Sequence, residues 1–311
     1  MRNFADRLID AIDAKGSRLA VGLDPRIHMI PDEIRASVDV AGEPSAQEAA
    51  AMLLAFNRAI IELAAPLVPA VKVQVAFYEL FGAAGYAAFE RTCECARDAG
   101  LIVIADVKRS DIGSTAAAYA NAHIGAGLVG ETAAHEGEAD AITIVPFFGS
   151  EGVQPFLDVA ADRGRGVFVM VRSSNPSAFE VQGRADDPDP LYLRLADLVS
   201  KWGASSVGER GYSAVGAVVG ATFGEDIPRL RERMPKALLL LPGFGAQGAE
   251  AGDVAAAFDG RGHGGLVPAS RSIIHAHKDP ANPDWGGAIE QAVRTLNAQL
   301  DAALPPLRPG G

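Results

Sequence analysis

The repetition of short apolar runs, each followed by a helical pattern, is the feature that most constrains the fold of this chain. Continuous apolar runs of this length are typical of strands that are buried on both faces of a parallel sheet. Strands that alternate with helices predict an α/β fold. Eight such runs occur, at 19–23, 70–76, 101–105, 141–145, 167–171, 214–220, 237–241 and 265–268.

Eight strand–helix units in a chain of 311 residues are typical of a (β/α)8 TIM barrel, and we expect a single barrel domain over 1–311. A doubly wound parallel sheet is the alternative. The barrel is favoured because polar and glycine-rich segments follow at least six of the runs, and a barrel gathers the carboxyl ends of its strands around one site. We also expect an extra N-terminal helix at about 3–15, loop insertions at about 27–44 and 175–190, and a short flexible tail from about 305.

Composition narrows the possible functions. The chain is 49% hydrophobic and 22% charged, with a net charge of −11, which argues against disorder and against a general surface for nucleic acid or an anionic membrane. No apolar run approaches the length of a membrane span. Charged residues interrupt the apolar pattern of the first 15 residues, so we predict no signal peptide and a cytoplasmic location. Cys93 and Cys95 lie two apart on a predicted helix and cannot easily form a disulfide.

Charged side chains directly follow the third apolar run. Alternate side chains of an extended segment share a face, so Asp106 and Lys108 are predicted to point the same way, and Asp111 follows in the turn. The glycine and hydroxyl residues at 113–115 predict a strand break and a cap for a helix that begins near Ala116. A solvated run of charges is the alternative. Charges at the end of a buried strand are costly unless they are paired, which favours a functional site.

Basic and glycine-rich positions elsewhere predict an anion site. Lys72 lies within the second run, where an inward-facing lysine needs an anionic partner, although an edge-strand lysine is the alternative. The turn at 242–248 follows the seventh run, and the loops after the seventh and eighth strands of a barrel commonly bind phosphate. Gln247 adds an amide donor and Arg271 a guanidinium. A plain turn with a surface arginine is the alternative.

Two further groups of polar residues are less informative. The hydroxyl and amide groups at 173–175 follow the fifth run and suit a polar ring, but an N-cap and turn is the alternative. His263, His275 and His277 lack an adjacent carboxylate cluster and are a poor ligand set. We therefore predict no metal site.

The cluster after the third run resembles the orotidine 5′-phosphate decarboxylase family, in its longer bacterial subgroup (type 2). The resemblance covers nearly the whole chain, and Lys72 matches the other lysine of the family. The family motif Asp-x-Lys-x-x-Asp-Ile-x-x-Thr is matched by Asp106, Lys108, Asp111, Ile112 and Thr115.

The substrate-binding positions of the family are matched as well. At two positions, Val73 and Ser270, this chain departs from the residues that the family usually carries. Neither position is that of a catalytic group. The resemblance assigns Asp24 to the ribose, Ser174 to the pyrimidine, Arg271 to the phosphate, and Pro242 and Gln247 to the phosphate-binding loop.

The resemblance implies conversion of orotidine 5′-phosphate to uridine 5′-phosphate and CO2 in pyrimidine biosynthesis, without a cofactor or metal. Loss of CO2 from C6 of the pyrimidine leaves a carbanion with no conjugated electron sink, so a fixed positive charge is needed beside that carbon. Lys108 is the candidate for this charge and for the proton that C6 then receives. Asp106 and Asp111 would hold the ammonium groups of Lys72 and Lys108 in an alternating array.

The resemblance also implies a homodimer with shared active sites, in which Asp111, Ile112 and Thr115 reach the site of the neighbouring subunit. Two alternatives remain. A sugar-phosphate decarboxylase or aldolase of the same superfamily shares Asp-x-Lys-x-x-Asp but uses Mg²⁺, and a second ammonium at Lys72 would repel that ion. The other alternative is a non-catalytic phosphate-binding barrel, which the complete Lys-Asp-Lys-Asp set disfavours.

Overall fold

The computed structural model describes residues 1–40, 42–129, 132–136, 139–184, 187–245 and 248–308. In this part of the chain, eight parallel strands form a closed barrel, which confirms the predicted fold class. Together with a separate pair, β4 and β5, the described strands are β1 Leu19–Leu23, β2 Ala70–Gln74, β3 Ile102–Arg109, β4 Ala126–Val129, β5 Thr132–Glu136, β6 Ala141–Ile144, β7 Gly166–Arg172, β8 Ser213–Val219, β9 Ala237–Leu240 and β10 Gly265–Ala269.

The barrel strands follow one another in chain order. Each pairs in parallel with the next, and β10 pairs with β1 to close the barrel. Strands β4 and β5 are not part of it, since they form a separate antiparallel pair between β3 and β6. All eight carboxyl ends therefore meet at one end of the barrel, where a (β/α)8 fold builds its site.

Helices connect the strands on the outside of the barrel. None of those in the described part of the chain combines the length and apolar character that crossing a bilayer would require. They are α1 Phe4–Lys15, α2 Asp32–Ser37, α3 Ala46–Ala64, α4 Ala76–Glu79, α5 Gly82–Asp98, α6 Gly113–Ile124, α7 Gly149–Arg163, α8 Phe179–Gln182, α9 Leu191–Trp202, α10 Ile227–Arg233, α11 Arg271–Ile274 and α12 Trp285–Ala303.

The apolar core has two parts. The larger lies between the strands and the surrounding helices, and the smaller joins inward-facing strand residues to α1. Phe4 of α1 packs edge-on against Phe168 of β7, with ring centroids 5.9 Å apart, and contacts the first residue of that strand, Gly166. Helix α1 therefore covers the amino-terminal end of the barrel and leaves the carboxyl end open.

Strand β3 and helix α6 differ from their predicted boundaries. Strand β3 continues to Arg109, so the charged side chains lie within the strand, because its backbone pairs with β2 as far as Asp106 and with β6 as far as Arg109. Helix α6 begins at Gly113 and has no side-chain cap, so the predicted cap and the start near Ala116 are wrong. Gly113 has a φ of 55°, in the left-handed region that favours glycine. This conformation turns the chain directly from the strand into the helix.

The two predicted insertions contain secondary structure. The first holds a short 3₁₀ segment, Ile27–Met29, and α2, and the second holds a 3₁₀ segment, Pro176–Ala178, and α8. The C-terminal tail, expected to be flexible, makes contacts over its described part. Arg18 Nη2 donates a hydrogen bond to the carbonyl of Pro305 (2.6 Å).

Candidate active site

A cavity of 510 Å³ opens at the carboxyl ends of the barrel strands, within the size range of small-molecule sites. Its wall brings together side chains that are far apart in sequence. Of the predicted site residues, seven line it: Asp24 after β1, Lys72 in β2, Asp106 and Lys108 in β3, Ser174 after β7, Pro242 after β9 and Arg271 at the start of α11.

The Asp106 carboxylate is the centre of a charged array on this wall. Its Oδ2 accepts hydrogen bonds from Lys72 Nζ (2.8 Å) and Gln74 Nε2 (3.0 Å). Its Oδ1 accepts from Lys108 Nζ (2.5 Å) and Thr143 Oγ1 (2.9 Å). Both carboxylate oxygens thus have two donors, and one carboxylate holds two ammonium groups.

Strand geometry explains how the array forms. Residues at i and i+2 of a strand share a face, and the β2–β3 register places Gln74 beside Asp106, with Lys72 two pairs further down, beside Ile104. The pairing of β3 with β6 shifts between Ala105 and Arg109, and Lys108 has a φ of 45°. This irregular, strained backbone turns the Lys108 ammonium back onto Asp106, and such strain is typical of functional sites.

Burial and charge act against each other on these groups. Burial alone would lower the pKa of Lys72, but the negative charges of Asp106 and Asp24 raise it above its ordinary value. Burial alone would raise the pKa of Asp106, whereas Lys72 and Lys108 hold it well below its ordinary value. Lys72 and Asp106 are therefore both charged at neutral pH. Side-chain exposure separates the lysines, since it is 10% for Lys72 and 42% for Lys108.

Asp24 adds a second carboxylate beside Lys72. Its Oδ1 lies 3.8 Å from Lys72 Nζ, beyond hydrogen-bond distance, and this buried oxygen has no hydrogen-bond partner in the described part of the chain. A buried acceptor without a donor is costly unless a ligand supplies one. Asp24 is thus suited to accept from a hydroxyl group of a bound molecule.

The opposite wall of the cavity is basic and closely packed. Arg271 lines it together with Gly243, whose φ of 115° favours glycine. Gly22 of β1 approaches Ser270 so closely that a Cβ atom on Gly22 would lie 2.7 Å from the Ser270 Cβ. Strand β1 and the turn before α11 therefore fit only with glycine at residue 22.

Comparisons with known proteins show which family this chain resembles. The sequence profile of the Orotidine 5'-phosphate decarboxylase / HUMPS family matches residues 17–282. An orotidine 5'-phosphate decarboxylase of Rhodopirellula baltica is 42% identical over 308 residues, which cover 96% of this chain and 99% of the relative. One of Deinococcus radiodurans is 39% identical over 302 residues, 97% and 98% of the two chains.

This chain belongs to that family. The solved structure of a Leishmania donovani OMP decarboxylase is also similar, with a TM-score of 0.74 and 28% identity over 97% of this chain and 98% of the other. The matched segment of the family profile includes every predicted site residue from Asp24 to Arg271. The predicted resemblance is therefore confirmed.

Three predicted site residues of this family member lie away from the cavity of their own chain. Asp111 Oδ1 accepts a hydrogen bond from the N–H of Ile112 (2.8 Å). The Ile112 side chain is 45% exposed, and Thr115 is exposed in the first turn of α6. None of the three is among the described residues that line the cavity. Gln247, predicted in the phosphate-binding turn, lies outside the described residues.

Gln74 and Thr143 complete the array but were not predicted from the sequence. Gln74 lies two residues after Lys72 and so shares its face of β2. The alternation of side chains along a strand could therefore have indicated this residue. Thr143 belongs to β6, and its hydroxyl also accepts from the backbone N–H of Lys108 (3.1 Å). No local pattern indicates this contact, because it depends on how β6 pairs with β3.

The histidines after α11 pack against aromatic rings. His275 stacks on Phe56 with centroids 6.2 Å apart, and the His275 and His277 rings meet edge to face. His263 instead pairs with Asp13 (2.7 Å). No group of three or more His, Cys, Asp or Glu side chains in the described ranges is arranged to hold a metal ion.

Acid is expected to weaken the fold through His275. Burial lowers its pKa to about 4, and the charges of His277, Arg26 and His28 act in the same direction. The unfolded chain binds this proton near pH 6.5, so the free energy of unfolding should fall between about pH 7 and pH 4, by at most about 1.4 kcal/mol per pH unit from this group. Denaturant titrations at several pH values measure this. His275→Phe, which keeps a ring on Phe56, should flatten the dependence, and an equally steep one would contradict the role of His275.

Proposed function

We propose that this chain decarboxylates orotidine 5′-phosphate (OMP) to uridine 5′-phosphate (UMP) and CO2, a step of pyrimidine biosynthesis. The relatives named above carry this activity in their names. The observation that carries the proposal is the array in which Asp106 holds Lys72 and Lys108 at the wall of the cavity. This array supplies the fixed positive charge that is needed because the C6 carbanion has no conjugated electron sink.

Lys108 has the more exposed ammonium of the two and is proposed to face C6 of the pyrimidine. When the bond from C6 to the carboxylate breaks, its electron pair stays on C6 and CO2 leaves. An ammonium about 4 Å from that carbon, at an effective dielectric constant near 20, stabilises the negative charge by about 4 kcal/mol. Lys108 then gives C6 a proton, so that an N–H bond breaks and a C–H bond forms, and the amine regains a proton from water.

The remaining wall is proposed to bind the parts of OMP that do not react. Asp24 accepts from the ribose hydroxyls, Ser174 contacts the pyrimidine, and Arg271 pairs with the phosphate. Pro242 and Gln247 are proposed, from the resemblance to the family, to contribute to binding of this phosphate. Binding energy from these remote groups aligns C6 with Lys108 and so lowers the barrier to reaction.

The charges of the array favour this reaction over a Mg²⁺-dependent one. Asp106 already accepts from four donors, two of which are ammonium groups. A divalent cation at Asp106 would have to displace them and would be repelled by both. We therefore propose that neither a metal nor an organic cofactor takes part, in contrast to a sugar-phosphate aldolase or decarboxylase that stabilises an enediolate with Mg²⁺.

Removal of metal ions by a chelator tests whether the reaction depends on Mg²⁺. Wild-type protein dialysed against EDTA should consume OMP, followed by ultraviolet absorbance, at the same rate as protein supplied with Mg²⁺. The parallel assay uses hexulose phosphates with and without Mg²⁺. Turnover of the sugar phosphates alone, dependent on Mg²⁺, would overturn the proposed function. Binding of UMP without turnover of either substrate would instead indicate the non-catalytic phosphate-binding barrel.

We further propose a homodimer in which Asp111 completes the site of the neighbouring subunit. The Asp111 backbone packs against α7, since a Cβ on Gly152 would lie 2.8 Å from the Asp111 carbonyl oxygen and from Phe148. Large apolar side chains are exposed on the segments that follow the neighbouring strands β2, β3 and β6, as Asp111 itself follows β3. They are Leu80 (75%), Ile112 (45%), Phe147 (83%) and Phe148 (48%).

These exposed side chains support a second copy of the chain as the partner. Large exposed apolar side chains mark interaction surfaces when they lie together, and Asp111 follows one of the same strands without lining the cavity of its own chain. Ile112 and Thr115 would then contact OMP bound to the partner. A nucleic acid or membrane partner is not proposed, since the net charge is −11. The cytoplasmic location stays a prediction.

Mixing two inactive variants tests the shared site. Asp111→Ala and Lys108→Ala should each lose turnover, because each removes one charge of the alternating array. A heterodimer of the two variants contains one site with both residues intact, so about half of the wild-type activity per heterodimer is expected to return, one site in two. Absence of recovery in verified heterodimers would contradict the shared site.

A further inference from the structure

The turn at 173–175 forms part of the cavity wall, beyond the carboxyl end of β7. Ser173, Ser174 and Asn175 all line the cavity. This turn leaves β7 and leads into the second insertion, which holds α8. The position of the turn therefore depends on what fixes the insertion to the barrel.

Gln182, the last residue of α8, holds the turn with two hydrogen bonds. Its Oε1 accepts from the backbone N–H of Ser173 (3.0 Å), and its Nε2 donates to Ser173 Oγ (2.6 Å). Ser173 Oγ in turn donates to Asn175 Oδ1 (2.7 Å). A single amide thus fixes both the backbone and the side chain at the start of the turn.

A buried ion pair anchors the Gln182 end of the insertion. Arg172 and Asp226 have side chains 3% and 2% exposed and are joined by a bond of 3.0 Å from Nε to Oδ2. Arg172 Nη1 also donates to the carbonyl of Gly183 (3.1 Å), next to Gln182. The guanidinium lies over the rings of Tyr192 (4.6 Å) and Phe223 (4.1 Å). The segment after α8 is therefore fixed to the end of β7.

The other side of the turn rests on the segment after β8. Thr222 Oγ1 donates to the Ser174 carbonyl (2.9 Å). A Cβ atom on Gly220 would lie 2.7 Å from the Ser174 Cα, so the two backbones are in direct contact. Ser174 is thus held from two sides. Gln182 acts on it through Ser173, and the Gly220–Thr222 segment contacts it directly.

We propose that Gln182 is a positioning residue that sets the place of Ser174 against the pyrimidine of the substrate. This inference rests on the proposed function, in which Ser174 contacts the ring. Gln182 does not line the cavity in the described part of the chain and acts only through the turn. The second insertion accordingly supports the substrate-binding wall from outside the cavity, through the turn at 173–175.

A double-mutant cycle with Ser174 tests the proposal. Gln182→Ala frees the turn, and misplacement of a binding group by about 1 Å costs on the order of 10- to 100-fold in kcat/KM for OMP. In the Ser174→Ala background the same substitution should cost less than about 3-fold, because the group that it positions is already absent. Glu180→Ala, an exposed side chain on the same helix, is the matched control and should leave kcat/KM unchanged.

The outcomes separate the alternatives. An equal loss in both backgrounds, or no loss in either, would overturn the positioning role and leave the proposed function intact. An equal loss accompanied by a lower midpoint of thermal unfolding would indicate that Gln182 only stabilises the fold. Absence of OMP turnover in the wild-type protein would overturn the proposed function, and the role of Gln182 with it.

Discussion

Replacing Lys108 with alanine is expected to lower kcat/KM for OMP by about 10⁵-fold or more. Loss of about 4 kcal/mol of charge stabilisation accounts for about a thousandfold. Loss of the positioned proton donor accounts for about a further hundredfold or more. The fold should persist, because Asp106 keeps Lys72, Gln74 and Thr143 as donors. Steady-state absorbance assays measure the effect.

The matched control for Lys108 is another lysine of the same chain. Lys201 is exposed near the end of α9, and Lys201→Ala should retain full activity and stability. Circular dichroism and an unchanged unfolding midpoint would show that both variants are folded. Lys108→Ala protein with more than about 1% of the wild-type kcat/KM would contradict the role given to this ammonium.

Asp106→Asn is expected to damage stability and activity together. The substitution keeps the shape of the side chain but leaves the buried Lys72 ammonium with only Asp24, at 3.8 Å, as a counter-charge. Removing one partner of a buried ion pair typically costs about 3–5 kcal/mol, and we expect a loss of this size in denaturant unfolding. Turnover should fall by at least about a hundredfold, because Lys108 loses the carboxylate that directs it.

Acid titration separates this effect from a general loss of packing. The pKa of Asp106 is lowered in the folded state, so its contribution to stability is present above the ordinary carboxyl pKa of about 4 and is lost as the pH falls through the lower folded value. The wild type should therefore lose stability below about pH 4 more steeply than Asp106→Asn. Asp162→Asn, at an exposed carboxylate of α7, is the control. Parallel curves for wild type and Asp106→Asn would contradict the charged role of Asp106.

The barrel and part of its site are predictable from local sequence alone. Each barrel strand coincides with a predominantly apolar run, although β2 also contains Lys72 and Gln74, so its place in the chain needs no tertiary information. The contact between Asp106 and Lys108 follows from alternation along one strand, although Lys108 reaches it through a strained backbone. The convergence of Lys72 with this pair follows once the strands are placed in a barrel.

Features that depend on pairing between distant segments are not predictable in this way. Thr143 reaches Asp106 only because β6 pairs with β3. Arg172 and Asp226 are 54 positions apart, and neither is preceded by a pattern that indicates a buried ion pair. The predicted end of β3 is wrong for the same reason. The apolar run stops at the charged residues, but backbone pairing with neighbouring strands extends β3 through them.

The first measurement to make is the exchange of the C6 hydrogen of UMP in D2O, followed by proton NMR in the presence of EDTA. A group that protonates the C6 carbanion also removes the C6 proton in the reverse direction, so wild-type protein should replace this hydrogen with deuterium. Lys108→Ala should bind UMP, through Arg271 and Asp24, without this exchange. Exchange at the wild-type rate in Lys108→Ala would contradict the assignment of Lys108 as the group that stabilises and protonates C6.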